Sequence, residues 1–172
     1  MNFLSQLSTN KRAWQLLMIS ALIFELIALY FQYGMGLAPC IMCIYQRNAI
    51  WGIFFAGLVG SLGCQYFIAR VLAYGLWITS SVWGLLIALE HVEMQTASNP
   101  FLFSCEIVPN FPSWAPLHEW IPMLFEASGD CGKIDWQFLG FSMPEVMILI
   151  FAGFGIALAL VLTASLQKKR MI

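Results

Sequence analysis

Charge is what this chain has least of. Of 172 residues, eight are Lys or Arg and nine are Asp or Glu, so charged residues make up 10% of the whole. A soluble domain of this length normally carries about a quarter. The deficit excludes an ordinary water-soluble core. A formal net charge of −1 gives no basic surface for nucleic acid. Histidine is scarce, with two residues. The sequence has no internal repeat and no low-complexity stretch, and no strand-like alternation runs through its apolar segments. The one CxxC pair is not followed by His, so covalent haem attachment is unsupported.

What is present is apolar: 60% of residues are hydrophobic, and mean hydropathy is +0.79. A transmembrane helix needs roughly 20 mostly apolar residues. Four runs qualify, at about Trp14 to Tyr33, Ile44 to Leu62, Phe67 to Leu89 and Glu145 to Leu166. Backbone groups in lipid must be satisfied within their own segment, so these runs are expected to be helices. The expected fold is an all-α membrane protein, a four-transmembrane-helix bundle forming a single integral-membrane domain over residues 1–172. The first run is long, lacks a small-residue cleavage site and is interrupted by Glu25, so it is expected to stay in the mature protein.

The few charges orient the bundle. Lys11, Arg12, Arg70, Lys168, Lys169 and Arg170 fall on one side, six of the eight basic residues. The positive-inside rule assigns that side, with both termini, to the cytoplasm. Eight of the nine acids fall opposite: Glu90, Glu93, Glu106, Glu119, Glu126, Asp130, Asp135 and Glu145. The outer side then holds a short loop, about 34–43, and a long one, about 90–144, in which Pro100, Pro109, Pro112, Pro116 and Pro122 account for five of the seven prolines. Leu117, Trp120, Ile121 and Leu124 fall at helical spacing after Pro116 and suit a short surface helix. Pro122 argues against a long one, and a loop folded over the bundle fits equally well.

Four of the five cysteines lie on the outer face, the oxidising side of a bacterial-type cell. Cys64, at the inner end of the second run, reads as a small buried apolar residue. Cys40 and Cys43 are spaced to share one helix face and are near enough for a disulfide. Pro39 suits a first helical turn, where the dipole favours thiolate. Zinc ligation and a structural disulfide are the alternatives. Zinc needs four ligands in a closed site, and the candidates besides these two are His91, His118, Cys105 and Cys131. No metal is expected. Arg47, four residues beyond Cys43, should lower the thiol pKa by its charge or else extend to lipid headgroups. Cys105 lies in an apolar stretch bounded by Pro100 and Pro109, suited to docking in a partner's groove. Cys131 sits in the turn sequence Gly129-Asp-Cys-Gly132. A bridge between the two would close a mobile loop as an exchangeable disulfide, or as a static staple. Glu25, mid-span, is expected to pair with a polar group in the bundle or to help supply protons.

Together these residues resemble the DsbB family of bacterial inner-membrane thiol oxidases. The run Pro-Cys-x-x-Cys-Ile-Tyr-x-Arg from Pro39 to Arg47 carries most of the resemblance. The Cys105 segment, the turn Ser128-Gly-Asp-Cys131 and the pair Glu90-His91 add to it. The likeness covers essentially the whole chain; Gln46 is a polar variation within the run, and Cys64 is not a family feature. The resemblance implies a quinone-dependent protein-disulfide oxidoreductase of the inner membrane, with its active cysteines periplasmic. It implies disulfides Cys40–Cys43 and Cys105–Cys131, attack on Cys105 by the reduced thiol of a DsbA-type partner, and relay through Cys131 to Cys40. Cys43 is then freed beside a quinone, ubiquinone or menaquinone, with Arg47 stabilising the thiolate and the quinone charge. The two electrons enter the respiratory chain. His91, at the depth of Cys43, is expected to line the quinone headgroup site or to cap its helix. A quinone-coupled oxidase for a dedicated substrate, a reductase run in reverse like the vitamin K epoxide reductases, and a non-enzymatic membrane protein with structural disulfides are the competing readings.

Overall fold

The structure is a computed structural model describing residues 7–96 and 109–170, the side chains of 166–170 excepted. Helix α1 spans Lys11–Leu29 and starts at Asn10, whose side chain accepts the Arg12 N–H at 2.9 Å. Asparagine suits that position because its short carbonyl satisfies an orphan backbone donor. The helix loosens into a π turn, Tyr30–Gly34. Helix α2 spans Ile41–Gly63, and α3 spans Phe67–Thr96. Two single-turn helices, α4 (Leu117–Trp120) and α5 (Pro122–Phe125), follow in the long loop. Pro122 breaks the helical spacing there: it fits the first position of α5 but cannot continue α4.

A small hairpin comes next, β1 (Gln137–Phe138) paired antiparallel with β2 (Phe141–Ser142). Its two turn residues, Leu139 and Gly140, both have positive φ, 52° and 87°, as a tight hairpin requires. Helix α6 spans Met143–Arg170. Glu145 reaches back from its first turn, its Oε2 accepting the Ser142 N–H at 2.6 Å, which is one half of a capping box.

Helix α2 packs between α1 and α3, and α3 packs in turn on α6. Phe24 of α1 meets Phe154 of α6 edge-on at 5.9 Å, bringing the first and last helices together. Close approach of α1 and α2 rests on glycine. A Cβ on Gly57 would lie 2.6 Å from the Met18 backbone nitrogen, and one on Gly60 would enter the Trp14 ring. Without a hydrophobic drive in lipid, such small-residue contacts let dispersion hold helices together. The core around them includes Trp14, Ala21, Ile53, Ala56, Trp77 and Phe151. Leu16, Ile23, Leu26, Ile68, Leu72 and Ile156 face outward.

Among the described residues, three helical stretches are long and apolar enough to cross a membrane: Lys11–Gly34, Phe67–Thr96 and Met143–Ser165. Helix α2, the run expected over about 44–62, is 23 residues long but is not among them. Gln46, Arg47 and Asn48 stand in a row in its second turn, and Gln46 and Arg47 are buried by neighbouring helices. Two boundaries matter for the site. Helix α2 starts early enough to include Cys43. Helix α3 runs past the expected end at Leu89, so Glu90, His91 and Glu93 are helical and do not belong to the loop. The hairpin had no counterpart in the sequence reading.

Candidate active site

Cys40 is the N-cap of α2, and its sulfur accepts the Cys43 N–H at 3.3 Å. One helical turn therefore folds the pair onto itself. The two are free thiols with their sulfurs 2.8 Å apart. A disulfide needs about 2.05 Å, so small side-chain rotations suffice to close the bond. Cys40 is buried, whereas Cys43 is half-buried.

Both thiols line a cavity of about 300 Å³ between α1, α2, α3 and α6. Its walls are mostly apolar, with Phe24, Ala28, Phe31, Ile50, Met147 and Ile150, and its polar groups include Glu25, Arg47 and His91. Concave, apolar walls with a few convergent polar groups are the usual form of a small-molecule site. At the rim, Lys133 meets Asp135 at 2.7 Å, and this hydrogen bond raises the lysine above its ordinary value.

His91 comes from the extra turns of α3. Its Nε2 lies 3.6 Å from Cys40 Sγ, and its Nδ1 lies 3.3 Å from Gln46 Nε2. The backbone of Cys131 is also within hydrogen-bonding reach of the imidazole. Arg47, one turn beyond Cys43, does not extend to solvent. It is 6% exposed. Its Nε lies 3.1 Å from Glu25 Oε1, and its Nη1 donates to Gln32 Oε1 at 2.9 Å and to the Leu124 carbonyl at 2.6 Å. Glu25 Oε1 has no aligned hydrogen bond, so charge attraction carries that contact. Glu25 thus pairs with a polar group of the bundle.

Cys131 is disulfide-bonded and 1% exposed; Cys105 lies outside the described residues. Cys131 shares one buried cluster with Cys40, Ile41, Met42 and Ile87. The turn that carries it is fixed to the start of α2. Ser128 N–H and Gly129 N–H both donate to the Pro39 carbonyl at 3.0 Å. Gly129 allows this because any Cβ there would collide with the Ala38 carbonyl oxygen.

Cys64 packs in the main core at the far end of α2, roughly 35 Å from Cys40 at 1.5 Å per residue. His118 stacks on Phe111 in the loop, with ring centroids 5.9 Å apart. Gln46, Gln32 and the Leu124 carbonyl are site groups beyond those expected from the sequence. Gln32 and Gln46 had a visible signal, since each is a polar side chain inside or beside an apolar run. A backbone carbonyl has none.

Known proteins resemble this chain over its whole length. The family model described as Disulfide bond formation protein DsbB matches residues 10–161. The chain is 54% identical over 172 residues to Disulfide bond formation protein B of Pseudoalteromonas translucida (strain TAC 125), covering 100% of both chains. It is 51% identical over 172 residues to the protein of that name from Pseudoalteromonas atlantica, again covering 100% of both. With the protein of that name from Vibrio cholerae it shares 46% over 171 residues, 98% of each chain. With a family model matched over most of its length and relatives alike over the whole of it, the chain belongs to the DsbB family of disulfide bond formation proteins.

Proposed function

We propose that this protein reoxidises a DsbA-type periplasmic dithiol protein and passes two electrons to a membrane quinone, ubiquinone or menaquinone. The observation that carries the reading is contiguity. Cys131 and Cys40 share one buried cluster, and Cys43 lines an apolar cavity beside Arg47.

The proposed route is thiol–disulfide exchange, in which a thiolate attacks one sulfur and expels the other. A partner thiolate attacks Cys105 and releases Cys131. Cys131 attacks Cys40 and releases Cys43 as a thiolate. The second partner thiolate attacks the partner–Cys105 bond, and the oxidised partner leaves. Cys105 then attacks Cys131, restoring the loop disulfide and leaving Cys40 and Cys43 reduced. A quinone bound in the cavity supplies a two-electron, two-proton acceptor. Cys40 and Cys43 give up the electron pair when their disulfide closes again.

The cavity fits such a group: it is apolar, large enough for one substituted ring, and open to lipid-side residues of α1 and α6. Arg47 places a permanent positive charge one turn from Cys43, partly offset by Glu25. It holds developing negative charge in a site where an unpaired anion is strongly disfavoured. His91 orients Cys40 and forms part of the headgroup wall.

The proposal includes four spans, both termini cytoplasmic and the long loop periplasmic in a bacterial inner membrane. Exposed Tyr33, Trp114 and Trp120 at the thiol end suit the membrane–water interface, where aromatic side chains collect.

The test is anaerobic incubation of the purified chain with a reduced periplasmic dithiol protein and either quinone, with quinol formation followed by absorbance. Stoichiometric quinol is expected, and none in Cys40→Ser. Absence of quinol with both quinones in a folded preparation would overturn the reading.

A further inference from the structure

The thiol pair has a third neighbour that electron relay does not require. Cys40 Sγ, Cys43 Sγ and a ring nitrogen of His91 all lie within 4.8 Å of one another. We infer that the reduced Cys40–Cys43 pair and His91 form a site for one thiophilic divalent cation of the zinc class, and that an occupied site arrests the pair.

The geometry is close to what such an ion needs. Zinc–sulfur bonds of about 2.3 Å and zinc–nitrogen bonds of about 2.0 Å set tetrahedral sulfur–nitrogen separations near about 3.5 Å and sulfur–sulfur near about 3.8 Å. The Cys40 Sγ to His91 Nε2 distance is 3.6 Å. The sulfurs, 2.8 Å apart, must spread by about 1 Å, within side-chain rotation. Two thiolates and one imidazole form a soft donor set that selects zinc or cadmium over magnesium or calcium. Three protein ligands leave the fourth position open toward the cavity.

The supporting contacts are also in place. A ligating histidine normally has its other nitrogen hydrogen-bonded, which fixes the ring. Gln46 stands 3.3 Å from His91 Nδ1. A half-turn of its amide presents oxygen to an Nδ1–H and leaves the Nε2 lone pair free for metal. The amide orientation is a choice that the hydrogen-bond network makes.

Occupation moves no electrons. Metal–sulfur bonds form, and each protonated thiol that binds releases one proton. Both sulfur lone pairs are then committed to the cation and held apart, so the disulfide cannot close until the ion leaves. The site exists only in the reduced protein, because a disulfide leaves His91 as the lone ligand. The inference concerns binding and stands whether or not the electron route is correct.

The test uses the full-length chain in detergent, anaerobic and reduced, carrying Cys64→Ser, Cys105→Ala and Cys131→Ala to remove the other thiols. Titration with cobalt(II) alone is expected to give thiolate-to-metal absorption saturating at one ion per chain. Adding Cys40→Ser should abolish the band. Adding His91→Ala should weaken binding at least tenfold, with thermal melting checking the fold. X-ray absorption of the zinc-loaded parent, with His91 intact, should give two sulfur ligands and at least one nitrogen. Absence of a thiolate band, a band that persists in Cys40→Ser, unchanged affinity in folded His91→Ala, or a zinc shell without nitrogen would each overturn the proposal. Quinone reduction is not measured, so these failures are distinct from failure of the oxidase reading.

Discussion

At the scale of single residues, the buried pair of Glu25 and Arg47 has the sharpest consequence. Arg47→Ala leaves the Glu25 carboxylate enclosed without its counter-charge. Breaking a buried ion pair from one side costs on the order of 3–5 kcal/mol. A clear fall in melting temperature in detergent is expected. Glu25→Gln should cost less, because Arg47 keeps Gln32 and the Leu124 carbonyl. The double variant should regain part of the loss, as a double-mutant cycle on melting temperature will read. Gly129 gives a different expectation. Gly129→Ala should drive the Cys131 turn off Pro39. Partner oxidation is then expected to slow at least tenfold, while quinone reduction by dithiothreitol through Cys40 and Cys43 stays near normal. Equal slowing of both rates would contradict this. The sequence disclosed Cys40, Cys43, Arg47 and Glu25 as candidates because each is chemically out of place among apolar neighbours, and Cys131 because it is a thiol in an outer-face turn. It did not disclose that Glu25 and Arg47 meet, since that pairing joins α1 to α2 across the bundle.

Among the elements, α3 teaches most. Its apolar run ends at Leu89, and Glu90, His91 and Glu93 lower the hydropathy beyond it, so sequence reasoning ended the span there. The backbone stays helical to Thr96 because a helix satisfies its own hydrogen bonds whatever its side chains face. That extension carries His91 over the thiol pair. Helix α2 shows the converse: its polar second turn makes it look poorly suited to lipid, and the structure surrounds that turn with protein. The hairpin was invisible because two-residue strands have no period to detect. Packing between elements yields a paired prediction. Gly57→Val places a side chain against the Met18 backbone and should destabilise by about 1–3 kcal/mol, as overpacking does. Gly75→Ala has nothing within 4 Å of its new Cβ and should be neutral or stabilise by up to about 1 kcal/mol, from helix propensity. Melting curves in one detergent compare the two directly.

For the whole molecule, the asymmetry of charge predicts sidedness. A reporter active only in the cytoplasm should work when fused after Ile172 and fail when inserted near Asn110. A reporter active only in the periplasm should do the reverse. Equal activity from both positions would refute the proposed orientation. One kind of contact recurs where the long loop meets the bundle. Arg47 grips the Leu124 carbonyl, the Tyr33 hydroxyl donates to the Met123 carbonyl, and the Pro39 carbonyl receives two N–H groups from the Cys131 turn. In each case the loop offers its main chain; Arg47 and Tyr33 meet it with side chains from helical turns, and Pro39 meets it with its own carbonyl just ahead of α2. Every amino acid has a carbonyl, so such a clasp does not depend on which residue provides it. In a saturation library selected for disulfide formation, Met123 and Leu124 should therefore accept many replacements, while Arg47 and Gly129 accept few. The loop is free to change its wording and keep its grip.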